Sequence, residues 1–148
     1  MMSIEDLKRI KKPIVWSLHD MWAFTGGCHY DQHCEKYVNT CGACPILNSG
    51  AERDLSRRIY NRKLKAFSDL KNVTIVGLSE WLAESARSSS LLKPFDVVNL
   101  PNPIDTSLFS PIDKVIARDI LNLPKDKTFV LYGAMSATGD RRKGYRQL

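Results

Sequence analysis

The sequence lacks the short motifs that mark several common enzyme classes. It has no Gly-x-Ser-x-Gly elbow, no P-loop and no Gly-x-Gly-x-x-Gly turn, which argues against hydrolase, nucleotide-hydrolase and dehydrogenase functions. Its apolar runs are far shorter than the roughly 18 residues of a membrane helix, and its first residues show no signal-peptide pattern. We therefore expect a cytoplasmic protein that is at most peripheral at the inner membrane face.

Acidic residues are also scarce relative to basic ones, with 16 Asp and Glu against 22 Lys and Arg and a formal net charge of +6. The 43% hydrophobic and 26% charged residues are otherwise an ordinary globular mixture in a chain of 148 residues. A modest positive charge favours binding of an anionic partner, such as a nucleotide diphosphate, an anionic lipid surface or nucleic acid. The alternative interpretation of each basic run is the solvated face of a helix.

Strand and helix signals alternate along the first hundred residues. Apolar runs predict strands at 14–18, 73–77 and 97–100, the first covered on both faces. Ser3 with Asp6 predicts a short first helix, and Ser79 predicts the start of a later one. Asp54 starts a helix to about residue 70, with a predicted core stripe at Leu55, Ile59, Leu64, Phe67 and Leu70. This order predicts an α/β fold, a Rossmann-like parallel sheet with flanking helices.

Two prolines in three residues, Pro101 and Pro103, interrupt that pattern. We therefore predict a first domain at 1–98 with a cysteine-rich loop at 21–50, a linker at 99–112, and the start of a second domain at 113–148. That start should contain a helix near 113–121, a strand at 128–132, a polar loop to 142 and the beginning of a helix at 148. Such a segment buries no core of its own, so we expect the chain to be a piece of a longer protein.

All four cysteines lie in the predicted loop, as Cys28-x5-Cys34-x6-Cys41-x2-Cys44. Disulfides rarely persist in a reducing cytosol, yet disulfides, free or redox-active thiols and one structural zinc ion all stay open as interpretations. Four thiolates satisfy tetrahedral zinc and leave no open position for catalysis. His29 or His33 could replace one cysteine, and an iron–sulfur cluster fits the ligand count with weaker support from the spacing.

Four stretches carry more distinctive residues. They are Ser17-Leu18-His19-Asp20-Met21-Trp22-Ala23-Phe24-Thr25-Gly26-Gly27-Cys28-His29-Tyr30; Cys41-Gly42-Ala43-Cys44-Pro45 followed by Asp54-Leu55-Ser56; Val98-Asn99-Leu100-Pro101-Asn102-Pro103-Ile104-Asp105-Thr106-Ser107-Leu108-Phe109; and Tyr132-Gly133-Ala134-Met135-Ser136 with Asp140-Arg141-Arg142-Lys143-Gly144. In this order they resemble a subgroup of glycosyltransferase family 4, two-domain GT-B enzymes of bacterial polysaccharide biosynthesis. The resemblance spans nearly the whole chain and implies a partial GT-B fold: the end of the acceptor domain, the linker and the start of the nucleotide-sugar-binding domain.

The resemblance implies a retaining transfer of a sugar from a nucleotide-sugar donor to a saccharide or lipid-linked saccharide, with no catalytic metal. The first strands of that family, its N-terminal Gly-rich loop and its paired glutamates have no counterpart in this sequence. Two complete Rossmann-like domains need roughly 200–300 residues at the usual size of each domain. We therefore expect this piece to be inactive by itself.

The resemblance also implies individual site residues. His19 matches an active-site histidine that contacts the donor sugar, although a histidine that is structural at a strand end is the alternative. Asp20 either orients that imidazole or caps the following turn. Gly133, Arg142 and Lys143 match the loop that contacts the donor diphosphate near a helix N-terminus. Ala134 stands where many relatives carry arginine, so Arg141 or Arg142 would supply that charge; a solvated basic loop is the alternative.

A second interpretation is a small zinc-stabilised binding module whose basic helix at 54–71 contacts nucleic acid. The cysteine spacing matches no common zinc finger, and the basic residues are scattered around the helix. The first interpretation therefore predicts no nucleic-acid partner. Core packing is the better interpretation for Trp16, whereas other aromatics near the cysteines, namely Trp22, Phe24 and Tyr30, could also stack on sugar rings or lipid.

Overall fold

The structure, a computed structural model, describes residues 3–136 and 138–148, without the side chain of Arg141. It divides into two compact units, Met1–Pro103 and Ile104–Leu148. The boundary between the units falls inside the segment 99–112 that the sequence marks as a linker.

The first unit is built on a parallel sheet of three strands. Strands β1 (Ile14–Leu18), β2 (Val73–Gly77) and β3 (Asp96–Asn99) lie in that order, with Leu18 opposite Gly77 and Gly77 opposite Asn99. The α/β fold class is thereby confirmed, as are the bounds of β1 and β2, while β3 begins and ends one residue earlier than predicted.

Strand β1 is covered on one face only, so the prediction of two covered faces is wrong. Ile14 and Trp16 are partly buried and Leu18 is buried, whereas Val15 is 70% exposed. Side chains alternate across a strand, and β1 is an edge strand of the sheet in the described residues. The ring of Trp16 packs edge-on against Phe67 at 5.9 Å, which confirms its role in the core.

Helix α1 (Leu55–Phe67) begins where predicted but buries a different face. The carboxylate of Asp54 accepts a hydrogen bond from the Arg57 backbone at 3.1 Å and so caps the helix. Leu55 and Leu64 of the predicted stripe are about half exposed. The residues that are buried are Ser56, Tyr60, Lys63, Ala66 and Phe67. The predicted stripe is therefore wrong at Leu55 and Leu64, while Ile59 and Leu70 are partly buried and Phe67 is buried. The buried face is rotated because Lys63 points inward to backbone carbonyl groups.

The two segments around β1 contain only short helical turns. A 3₁₀ helix spans Ile4–Arg9, and the Asp6 carboxylate accepts hydrogen bonds from the Ser3 amide and hydroxyl at 2.8 and 2.9 Å, as predicted. The loop at 21–50 holds three single 3₁₀ turns, at Trp22–Phe24, Lys36–Val38 and Pro45–Leu47. Its first residues enter the core, since Phe24 is fully buried against the ring of Tyr37.

Helix α2 (Glu80–Ser88) packs directly on the end of β2. The Ser79 hydroxyl accepts a hydrogen bond from the Leu82 amide at 3.2 Å, which confirms the predicted cap. A Cβ atom at Gly77 would lie only 2.5 Å from the Ala83 backbone nitrogen. Only glycine therefore permits this separation between strand and helix.

The second unit contains one α-helix, α3 (Lys114–Ile120), among its described residues, and Asp113 caps it as predicted. The predicted strand at 128–132 is wrong: the segment is irregular and Leu131 is 98% exposed. A strand needs a hydrogen-bonded neighbour, and the described part of this unit offers none. Two 3₁₀ turns, Arg141–Lys143 and Tyr145–Gln147, separated by Gly144 at φ +74°, precede residue 148, and the helix expected to begin there stays a prediction. Among the described residues, no helix is both long and apolar enough to cross a membrane.

Gly77→Ala should lower the free energy of unfolding by about 1–3 kcal/mol or more, because the added methyl group overlaps the backbone of α2. The matched control is Gly50→Ala, since a Cβ at Gly50 meets nothing within 4 Å. Urea unfolding of the three proteins measures the effect. Equal stability of the two variants would contradict the packing described for β2 and α2.

Candidate functional site

The three strands end at the same edge of the sheet, and polar side chains follow them there. His19 comes directly after β1, and α2 begins three residues after β2, so its N-terminus lies at the same edge. The His19 side chain is exposed. In open α/β sheets, ligands bind in the crevice outside the carboxyl ends of the strands.

Asp20 pairs with a histidine, but with His29 and not with His19. Its carboxylate lies 2.8 Å from His29 Nδ1 and accepts a hydrogen bond from the Trp22 amide at 2.7 Å. Partial burial raises the pKa of Asp20, but these hydrogen bonds outweigh it and the net pKa is lowered. Asp20 therefore caps the turn after β1, and the alternative that it orients His19 is not what the structure shows.

Two further contacts join this edge to α2 and β3. The Asn99 side-chain amide donates to Glu80 Oε2 at 2.6 Å, and the rings of Tyr30 and Trp81 lie 6.4 Å apart. Trp81 is 52% exposed. Nothing in the sequence indicates that Trp81 lies at this edge, because only the parallel pairing of β1 with β2 brings the start of α2 beside Tyr30.

The structure brings all four cysteines to one cavity of about 180 Å³. Cys28, Cys34, Cys41 and Cys44 are free thiols, and Cys41 is buried while the others are partly buried. Burial raises the pKa of Cys28 and raises that of Cys41 to about 11. Among the described residues, no three His, Cys, Asp or Glu side chains already stand in a metal-holding arrangement.

A buried lysine of α1, which the sequence did not mark, interacts electrostatically with two of these cysteines. Lys63 is only 1% exposed, and its ammonium donates to the carbonyls of Trp22 and Thr25 and lies 3.9 Å from the centre of the Trp22 ring. Burial lowers the pKa of Lys63 to about 8, against the opposing charges of Cys28, Cys41 and Asp20. Positions 56, 60, 63 and 67 lie on one face of α1, but a lysine among them gave no sign in the sequence that this face is the buried one.

In the second unit, the predicted phosphate-binding residues lie on an exposed turn. Arg142 pairs with the Asp140 carboxylate at 2.6 Å, which holds the pKa of Asp140 down at about 2. The Lys143 carbonyl accepts a hydrogen bond from the Tyr132 hydroxyl at 2.8 Å. Gly133 is exposed on the preceding segment. The expected helix N-terminus is absent from the described residues here, and the Arg141 side chain lies outside them.

The basic helix α1 does not present an open cationic stripe. The Arg57 guanidinium lies 2.9 Å from Glu52, Arg62 pairs with Glu5, and Lys63 is buried. Carboxylates thus neutralise two of the groups that a phosphate backbone would need. This arrangement does not favour nucleic-acid binding by α1.

Lys63→Ala should lower the free energy of unfolding by about 2 kcal/mol or more, because two carbonyl groups lose their donor and each buried unsatisfied acceptor costs about 1–3 kcal/mol. Lys65→Ala, at an exposed position of the same helix, is the matched control and should change stability little. Chemical denaturation followed by tryptophan fluorescence measures both. A loss for Lys63→Ala no greater than for Lys65→Ala would show that the buried ammonium does not hold the loop.

Part of the chain is similar to a curated protein of Escherichia coli (strain K12) named "Putative colanic acid biosynthesis glycosyl transferase WcaC". The two sequences are 44% identical over 36 residues, which are 24% of this chain and 9% of that protein. No protein-family model matches the chain. No solved structure matches it either. The similarity supports a glycosyltransferase relationship for this chain, over a short segment of each protein.

Proposed function

We propose that this chain is part of a GT-B glycosyltransferase of family 4 that transfers a sugar, with retention, from a nucleotide-sugar donor to a saccharide or lipid-linked acceptor in polysaccharide biosynthesis. The main support is the exposed imidazole of His19, directly after β1 at the carboxyl edge of a parallel sheet. The short similarity to a bacterial glycosyl transferase agrees with it.

His19 has the role of a hydrogen-bonding group for the donor sugar. Its imidazole is exposed, so the ring nitrogens are accessible to a ligand, and Asp20 interacts with it electrostatically. The exposed ring of Trp81 and the Glu80–Asn99 pair lie at the same edge. Aromatic faces and a few fixed polar groups are the usual lining of a small-molecule site.

In the second unit, Lys143 and Arg142 have the role of binding the donor diphosphate, with Gly133 allowing close approach of the backbone. A cation at the diphosphate stabilises the negative charge that develops as the glycosidic bond breaks. Arg142 already shares its charge with Asp140. Lys143 makes no such ion pair within the described residues, and it is therefore the stronger candidate.

The proposed activity belongs to a two-domain enzyme, because the motif of paired glutamates that the resemblance leads us to expect is not in this sequence. Transfer to a lipid-linked acceptor would place that enzyme in the cytoplasm, in peripheral contact with the inner membrane face. The four cysteines take no part in the transfer itself.

His19→Ala in a two-domain version of the enzyme should lower kcat/KM for transfer by roughly 10²-fold, the usual effect of removing one group aimed at developing charge. Stability should not change, since the His19 side chain is exposed. His33→Ala, also exposed and bonded to the Tyr30 hydroxyl, is the control. The rate is measured by release of the nucleoside diphosphate. Full activity of His19→Ala would show that His19 is not part of the donor site.

Lys143→Ala should weaken donor binding and slow transfer, because the departing diphosphate loses a positive charge. The control is Lys127→Ala, which removes another exposed lysine of the second unit, one paired with Asp126. Titration with the nucleoside diphosphate alone measures binding without turnover. If Lys143→Ala and Lys127→Ala bind the nucleoside diphosphate with the same affinity, Lys143 is a solvated surface residue and not part of the donor site.

A further inference from the structure

The cavity lined by the four cysteines is the best-defined site that the proposed transfer does not use. Its remaining wall is mostly backbone and apolar side chains, including Ile46, Leu47, Leu55 and Ile59. The four thiols are the groups in this wall that bind soft metal ions, and all of them are free. Four sulfur ligands in tetrahedral geometry are typical of zinc.

The backbone around the cavity already holds one sulfur atom in place. The Gly26 amide donates a hydrogen bond to Cys41 Sγ at 3.1 Å. A Cβ atom at Gly26 would lie 2.8 Å from the Cys41 Cβ atom and 2.7 Å from the Ser56 carbonyl oxygen, so glycine is required for this approach. Hydrogen bonds of this kind orient metal ligands from outside the coordination sphere.

A buried positive charge interacts electrostatically with two of these sulfur atoms. The Lys63 ammonium is almost fully buried and lies within electrostatic reach of Cys28 and Cys41. Four thiolates carry more negative charge than one divalent ion neutralises. Buried charges persist in proteins when they are paired, and the Lys63 ammonium, held by the carbonyls of Trp22 and Thr25, supplies part of the compensating charge.

The segments that carry the cysteines are fixed by further hydrogen bonds. The Lys36 ammonium donates to the carbonyls of Gly42 and Ala43, both at 2.8 Å, and the Asp54 carboxylate accepts from the Cys44 amide at 2.8 Å. Asp31, which is 5% exposed, accepts from the Glu35 amide at 3.0 Å. The backbone on both sides of the cavity is thus preorganised.

We propose that Cys28, Cys34, Cys41 and Cys44 bind one zinc ion as a structural site that stabilises the loop at 21–50. Cys41 keeps its bond to the Gly26 amide, and the other thiols reach the ion by rotation of their side chains into the cavity, since the described residues do not form a metal-holding arrangement as they stand. Each thiol releases its proton to solvent when its sulfur binds the ion, and no electron is transferred. With four protein ligands the ion has no open position, so it holds the loop and takes no part in chemistry.

This site gives a reason for the order of a loop that has little secondary structure. Fixing the backbone costs about 1–2 kcal/mol per residue, and several non-glycine residues of the loop also have positive φ values: Gln32, His33, Glu35, Ala43 and Asn48. A metal bound only by the folded loop contributes its binding free energy to folding.

The test is the metal content of the purified full chain by mass spectrometry, with zinc present during expression. The wild-type protein and His33→Ala should each carry about one zinc per chain, whereas Cys41→Ser and Cys44→Ser should lose most of it. Loss of zinc from His33→Ala with retention in Cys44→Ser would overturn the four-cysteine ligand set. Iron with acid-labile sulfide in place of zinc would overturn the choice of metal.

A second measurement, made on the wild-type protein, tests the site even if the serine variants fail to fold. Chelator-treated wild-type protein is titrated with Co²⁺, which should give the strong sulfur-to-cobalt charge-transfer bands of a tetrahedral thiolate site. The four thiols should react slowly with a thiol reagent before chelation and quickly after it. Four rapidly reacting thiols in protein that binds neither zinc nor cobalt would refute the proposal.

Discussion

The ammonium group of Lys63 joins the parts of the first unit that carry its chemistry. It donates to the carbonyls of Trp22 and Thr25, which lie between the edge residue His19 and the first cysteine, Cys28. Because the lysine comes from the buried face of α1, this contact fixes the start of the long loop against the helix that packs on the sheet. Buried charges are tolerated only with such partners.

The edge of the sheet and the cysteine cavity therefore depend on one segment. Residues 19–30 begin at the end of β1, pass over Lys63 and end at Tyr30, whose ring lies against Trp81 at the start of α2. Residues that follow the strands place polar groups at this edge, and the loop places the ring of Tyr30 there, beside Trp81. Catalytic loops placed on a rigid scaffold are common in α/β proteins, and a metal in the cavity would make this loop part of the scaffold.

Local signals predicted the elements whose causes are local. The caps at Asp54, Ser79 and Asp113 bond to amides two or three residues ahead, so the sequence contains both partners. The face of α1 was mispredicted because Lys63 is buried by carbonyls about forty positions away, which no helical periodicity reveals. Of the two roles that the sequence left open for Asp20, capping of the following turn is confirmed, and its contact with His29 was not predicted. Among the described residues, the segment at 128–132 lacks the neighbour that a strand requires. The clustering of the cysteines followed from their spacing, whereas the buried lysine beside them did not.

The central proposal is that this chain is part of a two-domain glycosyltransferase in which the edge of the sheet forms part of the donor site. The most direct measurement is the DNA sequence on both sides of the coding region. The account predicts continuous in-frame coding sequence that encodes the earlier strands upstream and a Glu-x7-Glu pattern downstream. Stop codons close to both ends would contradict the account, and the cysteine cavity would then be the remaining candidate for the function of this protein.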